Sequence, residues 1–434
     1  MTKPLTSPLQ IRDFRLYWCA RFAAVLATMG MVVIIGYQVY DVARSDYGMS
    51  IRDGALMLGL LGAVQFVPLA LLTPIAGWTA DRFERRTVAR FANGVDMLVA
   101  IVLGLATWNE ALNLPLLFTL AALHGVARVF VGPSMSAIAP NIVPPELLPK
   151  AIALSSIAWQ SASVAGPALG GFLYAAEASL PYWAAVMMMG LAILLLTPIR
   201  RIVPPPMQGN PHPIRQMIEG LTFVRRRRFL FGAITLDLFA VLLGGATAML
   251  PVFARDILFV DGRPVGTEGL GLMRGAPAVG AALVAAWFAV KPLKNNVGIK
   301  MLWSVAGFGL LTVLFGLSKV FVASLGILAL LGAADMMSVY VRSSLVQLHT
   351  PDMMRGRVSA VSGLAISASN ELGELQSGLA AALLGPAGAV VAGGAAAIGI
   401  AGVWSYLFPE LRRATTFDPP PEVLAQAVEQ EKPA

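Results

Sequence analysis

Acidic and basic side chains set inside long apolar runs are the residues of this chain whose types could do chemistry. Glu371 and Glu374 stand three apart in Ser369-Asn370-Glu371-Leu372-Gly373-Glu374, so they share roughly one face of a helix. Asp237 lies within the run from Phe229 to Phe253, and Arg128 opens Arg128-Val129-Phe130-Val131-Gly132. Burying one such charge in an apolar layer costs on the order of 3 kcal/mol on insertion scales, so each must face a partner or water. Two neighbouring carboxylates in a low-dielectric interior resist being ionised at once, which suits groups that take up and release a proton. The same acids could instead neutralise Arg21, Arg128, Arg274 or Arg342 in fixed ion pairs, and Arg128 could serve proton coupling, an anionic ligand or such a pair. Asp96 and Asp335 are expected as structural partners. A single cysteine, Cys19, allows no intrachain disulfide and no thiolate metal cage. His124, His212 and His349 lack metal-ligand spacing, and no Gly-x-x-x-x-Gly-Lys-Ser/Thr loop occurs. No metal, no cofactor and no enzyme chemistry are expected.

The elements that position these residues must cross a bilayer. Of 434 residues 57% are apolar and only 13% charged, with mean hydropathy +0.72; a water-soluble domain carries about 25% charged residues. The apolar runs are Leu16 to Val42, Gly54 to Ala80, Thr87 to Trp108, Leu114 to Ile142, Ala151 to Ala176 and Tyr182 to Ile199. Six more follow: Phe229 to Phe253, Gly269 to Val290, Val297 to Leu317, Val320 to Gln347, Val358 to Leu384 and Ala387 to Leu407. Each is long enough for a transmembrane helix, so the expected fold is an all-α integral membrane protein of twelve spans. No cleavable signal peptide is evident. The expected domains are a six-helix bundle over residues 1–199, a linker over 200–228, a second six-helix bundle over 229–408 and a flexible tail over 409–434. The linker holds Pro204-Pro205-Pro206 and Arg225-Arg226-Arg227-Arg228, and reads as a solvated cytoplasmic segment or, over Ile214 to Val224, as an amphipathic surface helix.

Orientation comes from charge. Gly77-Trp78-Thr79-Ala80-Asp81-Arg82-Phe83-Glu84-Arg85-Arg86 joins the second and third runs, and its arginines place that loop in the cytoplasm. With both termini cytoplasmic, most of the 32 Lys and Arg fall on inner segments. The net charge of +8 is therefore spread over span ends and gives no nucleic-acid surface.

The decapeptide resembles the Gly-x-x-x-Asp-Arg-x-Gly-Arg-Arg signature of the major facilitator superfamily through Gly77, Asp81, Arg82, Arg85 and Arg86, with Glu84 where that family has glycine. The two halves also resemble each other at one fixed offset: Gly125 matches Gly332, Ser155 matches Ser362, Gly166 matches Gly373 and Gly171 matches Gly378. That is the repeat plan of the superfamily, with a substrate site between the repeats near the midplane. Gly166-Pro167-Ala168-Leu169-Gly170-Gly171 resembles the exporter motif Gly-x-x-x-Gly-Pro-x-x-Gly-Gly, with Ala162 at the first glycine; small residues there would let helices approach closely. Pro351 to Val361, Asn370 to Glu374 and Phe408-Pro409-Glu410-Leu411-Arg412 look like the enterobactin-exporter-like subgroup.

The resemblance implies a proton-coupled exporter of an amphipathic small molecule, siderophore or drug, in a bacterial inner membrane; an importer or facilitator, or a lysophospholipid flippase, are the alternatives. Its implied partners are a small-molecule substrate, protons and membrane lipid, with no nucleic acid, and a monomer is expected. It further implies a latch in which Asp81 meets Arg355, Arg357 or the helix start around them. Candidates for lining a substrate cavity are Tyr37, Gln38, Gln65, Trp159, Gln160, Asn370 and Gln376.

Overall fold

A computed structural model describes residues 7–202, 213–291 and 293–418. The helices are α1 (Arg12–Ser45), α2 (Ile51–Arg82), α3 (Arg85–Trp108), α4 (Leu114–Ser136), a one-turn α5 (Ala139–Ile142), α6 (Leu148–Ala176) and α7 (Leu180–Leu196). There follow α8 (Pro213–Arg226), α9 (Arg228–Gly244), a single-turn α10 (Leu250–Val252), α11 (Gly266–Val290), α12 (Val297–Leu317), α13 (Phe321–Leu348), α14 (Asp352–Leu384), α15 (Pro386–Leu407) and α16 (Pro409–Arg413). A helix thus stands at each position where the sequence predicts a span. Among the described residues nine helical segments are long and apolar enough to cross a membrane, and α7 is a shorter apolar helix. The other two positions, α6 and α14, are 29 and 33 residues long. What lowers their hydropathy is the serines and Gln160 of α6, and the arginines, Asn370, Glu371 and Glu374 of α14.

Local chemistry sets the ends. Asn113 caps α4 by accepting from Leu116 N–H at 3.0 Å, with Pro115 in the first turn. Gly385 at φ 77° stops α14, and Pro386 starts α15 one residue later.

The chain divides into two compact units, Met1–Ser50 with Ala63–Asn210 and Pro264–Gly275, and Ile51–Gly62 with Pro211–Arg263 and Ala276–Ala434. In the first, α1 packs on α4, α6 and α7, and α3 on α4 and α7. Phe14, Tyr17, Met135, Ile138 and Leu196 form its core. In the second, α9 packs on α14 and α15, and α12 on α13 and α15. Leu236, Met301, Val341 and Leu345 form its core. The pairings repeat, and the matched glycines take matched places. A β carbon on Gly166 of α6 would lie 2.6 Å from Leu26 O of α1, and one on Gly373 of α14 would lie 3.2 Å from Val241 O of α9. Gly125 faces Gln65 of α2, and Gly332 faces Pro277 of α11.

One predicted span is not a continuous helix. α9 stops at Gly244, and the chain continues as a 3-10 turn (Ala246–Met249), α10 and a π turn (Phe253–Ile257). Gly245 and Pro251 break the ladder, and the Gly245 carbonyl accepts from Ala248 N–H at 3.4 Å and from Ser377 Oγ of α14 at 3.3 Å. Irregular backbone at membrane depth survives only with such a partner.

The segment read as a linker or a surface helix forms α8 over its described part. Its Gly220 lies on the Arg357 backbone, its Glu219 meets Arg357 at 3.1 Å, and Val224 is buried.

Candidate functional site

In the second unit, α9 carries Asp237 and α13 carries Asp335 and Arg342. The last two are seven residues apart, close to two helical turns, so they share a face. Arg342 donates to Asp237 Oδ2 at 2.5 Å, with the two side chains only 6% and 8% exposed. Asp237, Asp335 and Ser338 line a cavity of about 10 Å3, with Val305 and Phe308 also on its wall. That is the volume of about one water molecule. One guanidinium neutralises one carboxylate, so with both acids ionised the cluster holds an excess negative charge, and a single proton makes it neutral. Sequence reasoning singled out Asp237 but took Asp335 for a structural partner. The seven-residue spacing of Asp335 and Arg342 was the available signal; their meeting with Asp237 depends on tertiary packing across about a hundred residues.

Glu371 and Glu374 do not line this cavity. They sit where α14 crosses the first turns of α2. A β carbon on Gly62 would lie 2.6 Å from Glu374 Cβ and 2.7 Å from Glu371 O, and one on Gly59 would lie 2.8 Å from Gly378 Cα. Both acids and Gln376 are half-buried, and Asn370 is exposed.

In the first unit a cavity of about 130 Å3 is lined by Arg21, Thr28 and Met29 of α1, Arg128 and Gly132 of α4, and Trp159 of α6. Arg128 donates to Gln65 Oε1 at 3.0 Å. Arg21 donates to Tyr17 OH at 3.2 Å, and that hydroxyl lies 2.7 Å from Ser155 Oγ. Thr28 donates to Asp96 at 3.3 Å, and Asp96 lies 2.6 Å from His124 Nδ1, with both of the latter side chains sealed from solvent. Asp96 is thus tied to Thr28 and His124. Of the remaining cavity candidates, Gln38 is buried between Tyr182 OH at 2.5 Å and Thr107 at 3.2 Å. Tyr37 stands edge-on to Tyr174, and Gln160 is exposed.

The signature loop works as a staple within the first unit. Arg85 donates to Ala137 O, the C-cap of α4, at 3.1 Å. Arg86 donates to Thr197 O, the C-cap of α7, at 2.9 Å, reaches Ile199 O as well, and pairs with Glu84 at 2.9 Å. Cations at helix C-termini answer the unpaired carbonyls there. Arg82 lies over the Trp78 ring at 5.2 Å. Glu84 has φ −59°, so the turn needs no glycine. Burial works to raise the Glu84 pKa, but the Thr87 hydrogen bond at 2.6 Å and the charges of Arg86 and Arg201 outweigh it and hold the carboxyl below its usual range. A β carbon on Gly77 would meet nothing within 4 Å. The side chain of Asp81, on which the expected latch turns, lies outside the described residues. Arg355 is exposed, and Arg357 is engaged by Glu219.

The exporter-like motif is a packing device. Gly166 and Gly170 bring α6 onto Gly30 of α1, and Gly171 meets Thr267 O and Gly271 of α11. Pro167 lies in the middle of the helix, where it removes one backbone donor.

A family model described as Major Facilitator Superfamily matches residues 18–374. Enterobactin exporter EntS of Shigella boydii serotype 18 is 26% identical over 384 residues, 87% of this chain and 86% of that protein. Its counterpart in Escherichia coli O127:H6 is 25% identical over the same shares. Among solved structures, a peptide transporter POT in complex with sulfate aligns with a TM-score of 0.72 at 13% identity, covering 94% of this chain and 96% of that one. The nucleoside transporter NupG aligns with a TM-score of 0.65 at 10% identity over 91% and 100%. At such identities the solved structures speak for the fold alone.

Proposed function

Because the chain belongs to the Major Facilitator Superfamily, and so is a multi-pass transporter of small molecules and not an enzyme, we propose that it is a proton-coupled exporter working by alternating access. Its cargo is an amphipathic small molecule, siderophore-like or drug-like. The export direction rests on the relatives named as enterobactin exporters. It works in a bacterial inner membrane through twelve spans with both termini in the cytoplasm.

The observation that carries proton coupling is the pairing of Asp237 with Arg342 beside a small cavity that Asp237 and Asp335 both line. Two carboxylates share one fixed positive charge, so the cluster can take a proton without becoming positive and release it without leaving both acids unpaired. Glu371, Glu374 and Arg128 are the further candidates for the same coupling.

The test is reconstitution of the full chain in liposomes with an imposed pH gradient, following a fluorescent amphipathic dye and a catecholate siderophore. Wild type moves cargo against the proton flow. Asp335→Asn and Asp237→Asn lose gradient-driven movement but keep cargo exchange without a gradient. Movement of cargo with the protons would overturn export. Full gradient-driven movement in both Asp variants would overturn coupling through this cluster.

A further inference from the structure

We propose that the cavity among α1, α4 and α6 of the first unit is an anion-binding subsite that takes one negatively charged aromatic ring of the transported molecule. The inference rests on the transporter reading and adds a substrate class to it.

Two cations line the cavity and no acid does. Arg128 and Arg21 come from different helices, and the remaining polar wall is Thr28. Arg21 makes no ion pair among the described residues: its partner is the neutral Tyr17 hydroxyl, and its Nε is buried without a hydrogen-bond partner. Asp96, which meets the wall residue Thr28, is already tied to Thr28 and His124. A cation partly withdrawn from water without a counter-charge is unfavourable, and Arg21 stands in that position. An anion in the cavity removes that cost, and guanidinium groups match a carboxylate or a phenolate with directed N–H donors.

Size and shape narrow the ligand. The cavity measures about 130 Å3. A dry cavity of about 150 Å3 in another protein takes a benzene ring, so the space here fits one ring and not a bulky cargo in full. Trp159 is 44% exposed on the cavity wall, where its indole can stack on such a ring. Gly132 leaves the wall open, since a β carbon there would meet nothing within 4 Å. The rest of an amphipathic cargo remains outside this pocket.

The test uses salicylate, with neutral salicylamide and cationic benzylamine as comparators, in equilibrium dialysis against the purified full chain in detergent with no pH gradient. Wild type binds salicylate saturably and in preference to both comparators. Arg21→Gln weakens salicylate by about tenfold or more, the scale of a lost charge-assisted hydrogen bond. Its thermal midpoint stays equal to wild type or rises, because an unpaired cation has been removed. Gly132→Leu fills the pocket and abolishes binding with both charges in place. Arg263→Gln, on an exposed turn outside this unit, binds as wild type. Equal binding of salicylate and salicylamide overturns the proposal, as does unchanged affinity in Arg21→Gln. A lowered midpoint in Arg21→Gln assigns it a structural role and overturns the proposal too. The liposome assay keeps the two readings apart. Gradient-driven export of a neutral dye with no salicylate site sinks the subsite alone. A salicylate site without gradient-driven movement sinks the transport mechanism alone.

Discussion

His349 closes α13 and stacks on Phe229 with ring centroids 4.5 Å apart. Burial pushes its pKa below the ordinary histidine value and the Arg227 charge adds to this, against a backbone hydrogen bond at Asp418 that acts the other way. The folded protein therefore holds His349 neutral where the unfolded chain takes a proton. Its contribution to stability is present above the unfolded value near pH 6.5 and is lost as pH falls through the folded value. Thermal midpoints of wild type and His349→Gln, followed from pH 8 to pH 5, should converge or cross as pH falls, because only wild type loses this contribution. Parallel curves would remove His349 from the acid response. At this scale the sequence was a good guide to which residues are charged and buried, and a poor guide to their partners. Asp237 and Arg342 both read as membrane charges, yet their pairing is a fact of how α9 meets α13. Arg21 read as one cation among several until its lack of an ion pair among the described residues was visible.

Helix crossings obey stricter rules than composition can express. Gly166 and Gly94 are both helix glycines, but a β carbon at Gly166 would lie 2.6 Å from Leu26 O, while one at Gly94 meets nothing within 4 Å. Gly166→Ala should destabilise by about 1–3 kcal/mol through overpacking. Gly94→Ala should stabilise by about 0.5–1 kcal/mol, because glycine is the poorer helix former. Thermal unfolding in one detergent reads both, and shifts of the same sign would refute the assignment of Gly166 as a contact glycine. The motif around Pro167 was legible because glycine spacing is itself the message. The end of α9 at Gly244 was harder to read, since hydropathy continues unbroken and the Ser377 hydroxyl that joins Ala248 N–H on Gly245 O comes from α14. The signature arginines, read as a loop, close α2 at Arg82 and open α3 at Arg85 and Arg86, and the carbonyl partners of the last two, at the ends of α4 and α7, lie 52 to 113 residues away.

For the whole molecule, duplication is the feature sequence and structure share most fully. Gly125 and Gly332 match in register, and each packs its helix on the second helix of its own repeat; Gly166 and Gly373 do the same against the first. The count of crossings is where hydropathy falls short, because α6 and α14 trade apolar residues for serine, glutamine and carboxylates. The twelve-span proposal predicts that green fluorescent protein fused to either terminus fluoresces and that alkaline phosphatase fused to the same positions stays inactive. Active phosphatase at one terminus only would require an odd number of crossings. The crossing of α1 and α6 bears on how the molecule can move. Where Gly30 meets Gly166 and Gly170, main chain lies against main chain, with the Met29 and Ile34 stems packed beside the contact. Two rods seated that way travel as a single piece. Arg21 rides on one and Trp159 on the other, so that jaw of the pocket keeps a constant gape through any cycle. Only the wall bearing Arg128 is left to tighten on a guest or let it go.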